Sequence, residues 1–155
     1  MSKIRYLAIG ILLLAVVSVV IGSVFISQGV EKNNWIKGAM QVEKITLDLD
    51  EDEVAAGNVI DSATEAQTAA DTLREHRRGI APTYSELMGE GRYDPSNPAH
   101  LSYAQALNLE NYLYLAVLSF GVIDIVIVIG VFMIIVGIAL GATGVTALVL
   151  ARKQS

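Results

Sequence analysis

The chain has 155 residues, of which 53% are apolar and only 17% are charged, below the roughly 25% of charged residues in soluble domains. The apolar residues concentrate in two blocks, 6–26 and 112–151, whose only charged residue is Asp124. The absence of cysteine excludes disulfides, thiolate metal sites and a cysteine nucleophile. Between the blocks, residues 28–111 hold seven basic and fifteen acidic side chains, and this acidic balance disfavours nucleic-acid binding.

The first apolar block predicts a transmembrane helix over residues 6–27. Its 21 uncharged residues would form about 31 Å of helix, enough to cross a hydrocarbon core of roughly 30 Å. The alternative is a cleaved signal peptide, whose apolar region is usually about 7–15 residues long. Residues 20–22 would make a passable cleavage site and residues 25–27 a poor one, so a retained anchor is favoured.

Residues 42–50, with the sequence VEKITLDLD, show the alternation that is typical of a half-buried strand. Ile45, Leu47 and Leu49 would point to one face of that strand. Residues 58–60 are the expected partner strand, with a turn at Gly57. The pattern therefore predicts a short β-hairpin.

A helix is predicted to follow the hairpin. Ser62 and Glu65 match a capping box, and the alanine-rich stretch after them has no helix breaker before Gly79, the expected C-cap. A short helical turn is expected at residues 84–88 within a connection rich in Gly, Pro, Asn and Asp. Together with the hairpin, these helices predict a small α+β domain over residues 28–111.

The second apolar block is 40 residues long, which as one helix would measure about 60 Å. No turn cluster interrupts its middle, so one long helix is favoured over two short spans, beginning where Asn97 caps and Pro98 starts it. The core of the second span is expected near residues 131–150. Asp124 would then lie at the outer interface, and a functional acid within the membrane is the alternative.

Basic residues at both tips of the chain predict the topology. Lys3 and Arg5 precede the first block, and Arg152 and Lys153 follow the second, so the positive-inside rule places both termini in the cytoplasm of a multi-pass plasma-membrane protein. The predicted parts are a tip at 1–5, a span at 6–27, an extracytoplasmic domain at 28–111, an apolar helix at 112–151 and a tip at 152–155.

Three short segments carry a resemblance: TYSEL at 83–87, Asp94 with Pro95, and LSFGV at 118–122. With them, the stretch 69–140 resembles an uncharacterised family of small bacterial two-span membrane proteins that is often labelled aromatic ring-opening dioxygenase. The resemblance implies two spans around an exterior domain. It implies no catalytic residues.

The sequence predicts no enzyme activity, no cofactor and no metal site. A non-haem iron dioxygenase needs two histidines and a carboxylate in one cluster. The two histidines here, His76 and His100, are both expected at the surface. The acidic run at 48–52 opens like a calcium loop, but Glu53 stands where an EF-hand needs glycine and Val59 where it needs glutamate.

Two groups of residues are candidates for contacts. Arg74, Arg77 and Arg78 are candidates for contact with an anion or a lipid headgroup, with pairing to acidic residues of the domain as the favoured alternative. Glycines recur every seven residues in the second block, and small residues permit close helix packing in lipid. The partner would be the first helix or a second copy. The residues predicted to pack are Ser18, Gly22, Gly130, Gly137, Gly141 and Gly144.

These observations favour a membrane-anchored structural or interaction protein. Its exterior domain would be a platform for a membrane protein partner or for homo-oligomerisation, and its other partner would be the lipid bilayer. The alternative function is a ligand-sensing or envelope-binding ectodomain.

Overall fold

A computed structural model describes residues 3–153 of the chain; Met1, Ser2, Gln154 and Ser155, the outer parts of the two predicted tips, lie outside the described residues. The chain forms two compact units, Met1–Asn33 with Val122–Ser155, and Asn34–Gly121. The helices are α1 (Lys3–Glu43), α2 (Glu51–Ala55), α3 (Ala63–Ile80), α4 (Tyr84–Met88) and α5 (Pro98–Lys153).

The predicted β-hairpin, and with it the α+β domain, is wrong. Helix accounts for 83% of residues 3–153, which contain no strand, so the segment between the apolar blocks is mainly helical. Helix α1 continues through Val42, which removes the first residues of the expected strand. Lys44 and Asp48 then adopt φ angles of 50° and 62°, and such left-handed residues interrupt the extended backbone that a strand needs.

One feature of the predicted hairpin remains. The backbone N–H of Ile60 donates to the carbonyl of Ile45 at 2.9 Å, so the two expected strand segments touch through a single bond. Between them, the backbone N–H of Asp50 donates to the Glu53 carboxylate at 3.2 Å and starts α2. The acidic residues therefore lie at the N-terminus of a helix, where negative charge is favourable, and do not form a strand.

Helix α3 begins as predicted and ends later. Ser62 caps it by accepting the backbone N–H of Glu65 at 3.3 Å. The prediction of Gly79 as C-cap is wrong, because the helix continues through Ile80. Ala81 stops it instead: it precedes a proline, which disfavours helical backbone, and it is extended.

The core of the unit Asn34–Gly121 lies where the end of α1, α3 and the start of α5 meet. Helix α3 contributes alanines, whose small side chains permit close packing, while α1 and α5 contribute the larger groups. Residues from the first and last helices are therefore needed to complete one core. The buried members are Met40, Ile60, Ala66, Ala69, Ala70, Leu113 and Phe120.

In the other unit, α1 and α5 pack against each other in an antiparallel pair. Gly22 lies against Gly130, and Ala15 lies against Gly137. Both helices are long and apolar enough to cross a membrane, and only 17% of the most apolar stretch of each is buried within the protein. The prediction that the C-terminal block forms one helix is confirmed.

Candidate functional site

An ion pair joins α3 to α5 inside the helical unit. The Arg77 Nε donates to Glu110 Oε2 at 2.7 Å, and Arg77 Nη2 donates to Glu110 Oε1 at 3.3 Å. The two side chains are only 11% and 7% exposed. Arg77 also donates to the buried Tyr103 hydroxyl at 2.5 Å and lies over its ring. The hydrogen bonds to Glu110 raise the pKa of the Arg77 guanidinium above its usual range.

A second polar cluster holds the same two helices one turn away. The Tyr114 hydroxyl donates to Asp71 Oδ1 at 2.5 Å, Gln67 donates to Asp71 Oδ2 at 3.0 Å, and Arg74 pairs with Asp71 at 2.6 Å. The hydrogen bonds from Gln67 and Tyr114, with the charge of Arg74, lower the pKa of Asp71. Burial and the bond to Asp71 raise the pKa of Tyr114. Because these groups are engaged with one another, their arrangement suits clamping and not proton transfer to a substrate.

All three arginines of the predicted anion site pair within the chain. Arg74 and Arg77 take part in the two clusters, and Arg78 Nη1 lies 3.6 Å from Glu75 Oε1. The structure does not bring the three guanidinium groups together around one free position. Arg78 is the most exposed of them, with 53% of its side chain accessible.

The two histidines lie in different settings. His100 accepts the backbone N–H of Asp94 at 3.0 Å through Nδ1, and its ring stacks on Tyr93 at 5.9 Å between centroids. His76 is exposed on α3. Within residues 3–153 no three His, Cys, Asp or Glu side chains are close enough to hold a metal ion.

A half-open apolar cleft of about 430 Å³ lies between the end of α1 and α5. Met40 and Leu113, which are almost fully buried, belong to its lining. Glu43 and Tyr112 add a carboxylate and a hydroxyl, the polar groups that could orient a ligand. A second, more polar cavity of about 680 Å³ borders the connection around α2.

An apolar face of α5 has no partner in the helical unit. Leu115 is 57% exposed and Leu118 is 62% exposed, while Leu113 and Phe120 on the other side of the helix are buried. Within residues 34–121, this part of α5 therefore has two apolar faces, of which only one packs against other residues of the unit.

The small residues predicted to pack the apolar helices include several at the closest approach of α1 and α5. A Cβ on Gly22 would lie 2.6 Å from the Gly130 carbonyl oxygen, and a Cβ on Gly137 would lie 2.9 Å from the Ala15 carbonyl oxygen. The Ser18 hydroxyl donates to the Met133 carbonyl at 2.7 Å. The first helix, and not a second copy, occupies this face.

The remaining glycines differ in how closely they pack. A Cβ on Gly144 would lie 2.8 Å from Leu12, whereas a Cβ on Gly141 would make only an ordinary contact of 3.9 Å with Ala15. Sequence reasoning missed Gly29, whose Cβ would overlap Ile127. Its position seven residues after Gly22, on nearly the same helix face, was the available signal.

Sequence reasoning also missed Glu110 as the partner of Arg77. Tyr103, Glu110 and Tyr114 are spaced seven and four residues apart, which places them on one face of α5. That spacing could have indicated a polar stripe opposite the arginines of α3. Aromatic hydroxyls and an acid on one helix face are the partners that buried guanidinium groups need.

No family model, curated protein or solved structure matches this chain. The resemblance of residues 69–140 to the two-span bacterial family therefore stays a prediction.

Proposed function

We propose that the chain is a two-span membrane protein, with both termini in the cytoplasm and the helical unit Asn34–Gly121 outside, where it acts as an interaction platform. The exposed apolar face of α5 at Leu115 and Leu118 carries this proposal. Apolar faces of this kind mark sites of association.

The apolar surface of the α1–α5 pair supports insertion into a bilayer. Leu13, Val16 and Phe132 are each more than 60% exposed, and lipid is the environment in which such surface has no cost. Helix α1 is half of this pair, which favours its retention over cleavage as a signal peptide.

The register of the pair also suggests where the membrane ends. Gly29 lies against Ile127 and near the carbonyl of Ile123, so Asp124 is level with residues 28–31 of α1, which include Gln28 and Glu31. A carboxylate at that level can reach water, which supports an interfacial position for Asp124. Leu118 precedes Asp124 by six residues, about 9 Å of helix, and so belongs to the part that we place outside the bilayer.

The topology can be tested with single cysteines, since the chain has none of its own. We expect an impermeant thiol reagent added to whole cells to label Glu51→Cys and Tyr93→Cys and to spare Lys153→Cys. Permeabilised cells supply the control, because all three variants should then react. Labelling of Lys153→Cys alone in intact cells would show that the orientation is reversed.

The face at Leu115 and Leu118 suits a protein partner. Both side chains lie where we place water, so covering each of them contributes about 1.5–3 kcal/mol of favourable burial. The side chains that clamp α3 to α5 hold this face on a fixed helix. Docking sites for proteins typically present an apolar surface within polar surroundings, and this face lies on a fixed helix of an acidic domain.

The apolar cleft supports a second candidate, a ligand-binding domain. Its volume of about 430 Å³ lies within the range of small-molecule sites. The cleft also has few polar groups, those of Glu43 and Tyr112, which is typical of such sites. The ligand would be largely apolar, with a group that hydrogen-bonds to a carboxylate or a phenol.

One purification distinguishes the two candidates. We expect the protein, extracted in mild detergent and analysed by native mass spectrometry, to carry a stoichiometric protein chain that the variant Leu115→Gln/Leu118→Gln loses. The matched control is Val42→Gln, which changes another exposed apolar residue of the same unit. A bound small molecule that survives Leu115→Gln/Leu118→Gln, with no protein partner, would favour the ligand-binding candidate and contradict the platform.

A further inference from the structure

The apolar cleft of the helical unit lies wholly within Asn34–Gly121, between the end of α1 and one face of α5. Its α5 lining recurs at steps of three, one and three residues, which places these side chains on one side of the helix. The members are Leu109, Tyr112, Leu113 and Ala116. Ala116 on α5 and Ala39 on α1 have small side chains, and these leave space between the two helices.

Most of the lining is apolar and offers no hydrogen bond. Met40 and Leu113 are 8% and 1% exposed, and Ile45 packs against the same core. Because we place this unit outside the bilayer, the cleft faces water, and an alkyl chain that fills it removes apolar surface from water. The volume of about 430 Å³ equals that of roughly fourteen water molecules at about 30 Å³ each, which limits the chain to about a dozen carbons.

Among the described residues that line the cleft, Glu43 is the one with a charged side chain. Within residues 3–153 its carboxylate has no ion-pair or hydrogen-bond partner. The lysines nearest in sequence are placed elsewhere, since Lys37 Nζ lies 3.5 Å from Asp61 Oδ1 and Lys44 borders the more polar cavity. An ionised carboxylate only accepts hydrogen bonds, so Glu43 favours a ligand group that donates them, above all a cation.

Tyr112 and the charge of the unit favour the same kind of group. Tyr112 is 62% exposed, and an aromatic ring attracts a cation that lies within about 6 Å of its centre. Residues 34–121 hold fourteen acidic and six basic side chains, a net charge of −8 with neutral histidines. Such a field attracts cations and repels carboxylates and phosphates. A fatty acid or an anionic phospholipid is therefore repelled where an alkylammonium ion is attracted.

We propose that the cleft binds a cationic amphiphile, a single alkyl chain of about a dozen carbons that ends in an ammonium group. The chain occupies the apolar part of the cleft, and the ammonium donates to the Glu43 carboxylate beside the Tyr112 ring. The proposal rests on the second candidate function, ligand binding, and names the chemical class of the ligand. It is independent of the docking face at Leu115 and Leu118.

Radiolabelled dodecylamine tests the proposal on the full chain in phosphatidylcholine nanodiscs, with empty nanodiscs to correct for partition into lipid. We expect one saturable site per chain. Dodecanol has the same chain length without the charge, so it should compete at least about tenfold more weakly, because it forms no charge-assisted hydrogen bond. Dodecanoate should not compete. Competition by dodecanol as strong as that by unlabelled dodecylamine overturns the proposal.

Three variants locate the bound molecule. Glu43→Gln should weaken dodecylamine binding at least about tenfold, for the same reason. The matched control is Glu90→Gln, which removes the same charge at an exposed position of the same unit outside the cleft and should leave binding nearly unchanged. Ala39→Leu, at an exposed position of the lining, should abolish binding by filling the cleft. Equal effects of the two glutamine variants, or full binding by Ala39→Leu, contradict the site.

The results also separate the proposal from the function on which it rests. If dodecanol and dodecylamine bind equally and Ala39→Leu loses both, the cleft is a ligand site without charge selection, and the cationic ligand is wrong. If none of the three amphiphiles binds saturably, the proposal and the ligand-binding candidate both fail. The thermal unfolding of each variant, followed by circular dichroism, checks that the unit is folded.

Discussion

Replacing Glu110 by alanine is expected to lower the free energy of unfolding of the helical unit by about 3–5 kcal/mol, the cost of leaving one member of a buried ion pair without its partner. Arg77 would remain buried, and within residues 3–153 the Tyr103 hydroxyl would be its one remaining side-chain hydrogen-bond partner. The midpoint of thermal unfolding, followed by circular dichroism in detergent, measures the loss.

A neighbouring pair provides the control for this prediction. Arg78 and Glu75 are 3.6 Å apart but 53% and 72% exposed, so Arg78→Ala should change stability by no more than about 1 kcal/mol. The double variant Arg77→Met/Glu110→Leu should recover much of the loss, because apolar residues of similar size avoid the desolvation of both charges. Equal effects of Glu110→Ala and Arg78→Ala would mean that the buried pair contributes no more than a surface one.

The second large effect is expected at the closest approach of α1 and α5. A methyl group added by Gly130→Ala would lie 2.8 Å from the Gly22 carbonyl oxygen and 3.1 Å from the Ile26 nitrogen. Both contacts are to backbone, which cannot rotate away, so the helices must separate at a cost of about 1–3 kcal/mol or more. Resistance of the helix pair to unfolding in sodium dodecyl sulfate measures this cost.

Two other glycines serve as controls, because alanine at these positions adds the same methyl group without close contacts to the backbone of the other helix. Nothing lies within 4 Å of a Cβ on Gly10, and a Cβ on Gly141 would meet Ala15 at 3.9 Å. Gly10→Ala and Gly141→Ala should therefore be neutral or stabilising by up to about 1 kcal/mol, since alanine favours helix over glycine. A loss of stability in either variant as large as that in Gly130→Ala would remove the steric explanation.

Local signals in the sequence were enough to place the starts of two helices. Ser62 acts through its capping side chain and Pro98 through its restricted backbone, and both effects operate within one helical turn. They can therefore be identified without tertiary structure. The strand expected at residues 42–50 failed because alternation of apolar residues is also compatible with an irregular segment. Ile45, Leu47 and Leu49 pack against the core in a turn-rich connection, where no neighbouring strand satisfies a ladder.

Some residues of the candidate site could likewise be predicted from the sequence, and others could not. The glycines that approach α1 could be named in advance, because a seven-residue recurrence places them on one helix face whatever the partner. The ion pair of Arg77 with Glu110 could not, because 33 residues separate them and the domain offers fifteen acids as partners. Which acid pairs with Arg77 is decided only by the packing of α3 on α5.

The composition of the core of the helical unit constrains how the protein is made. Met40 of α1 and Leu113 of α5 share this core, and 73 residues separate them in the chain. At about 5–20 residues per second, a ribosome needs roughly 4–15 s to make the intervening segment. During that interval α3 has no completed surface on which to dock. Its buried face consists of alanines, which expose little apolar area, and a small exposed apolar area lowers the risk of aggregation before α5 is made.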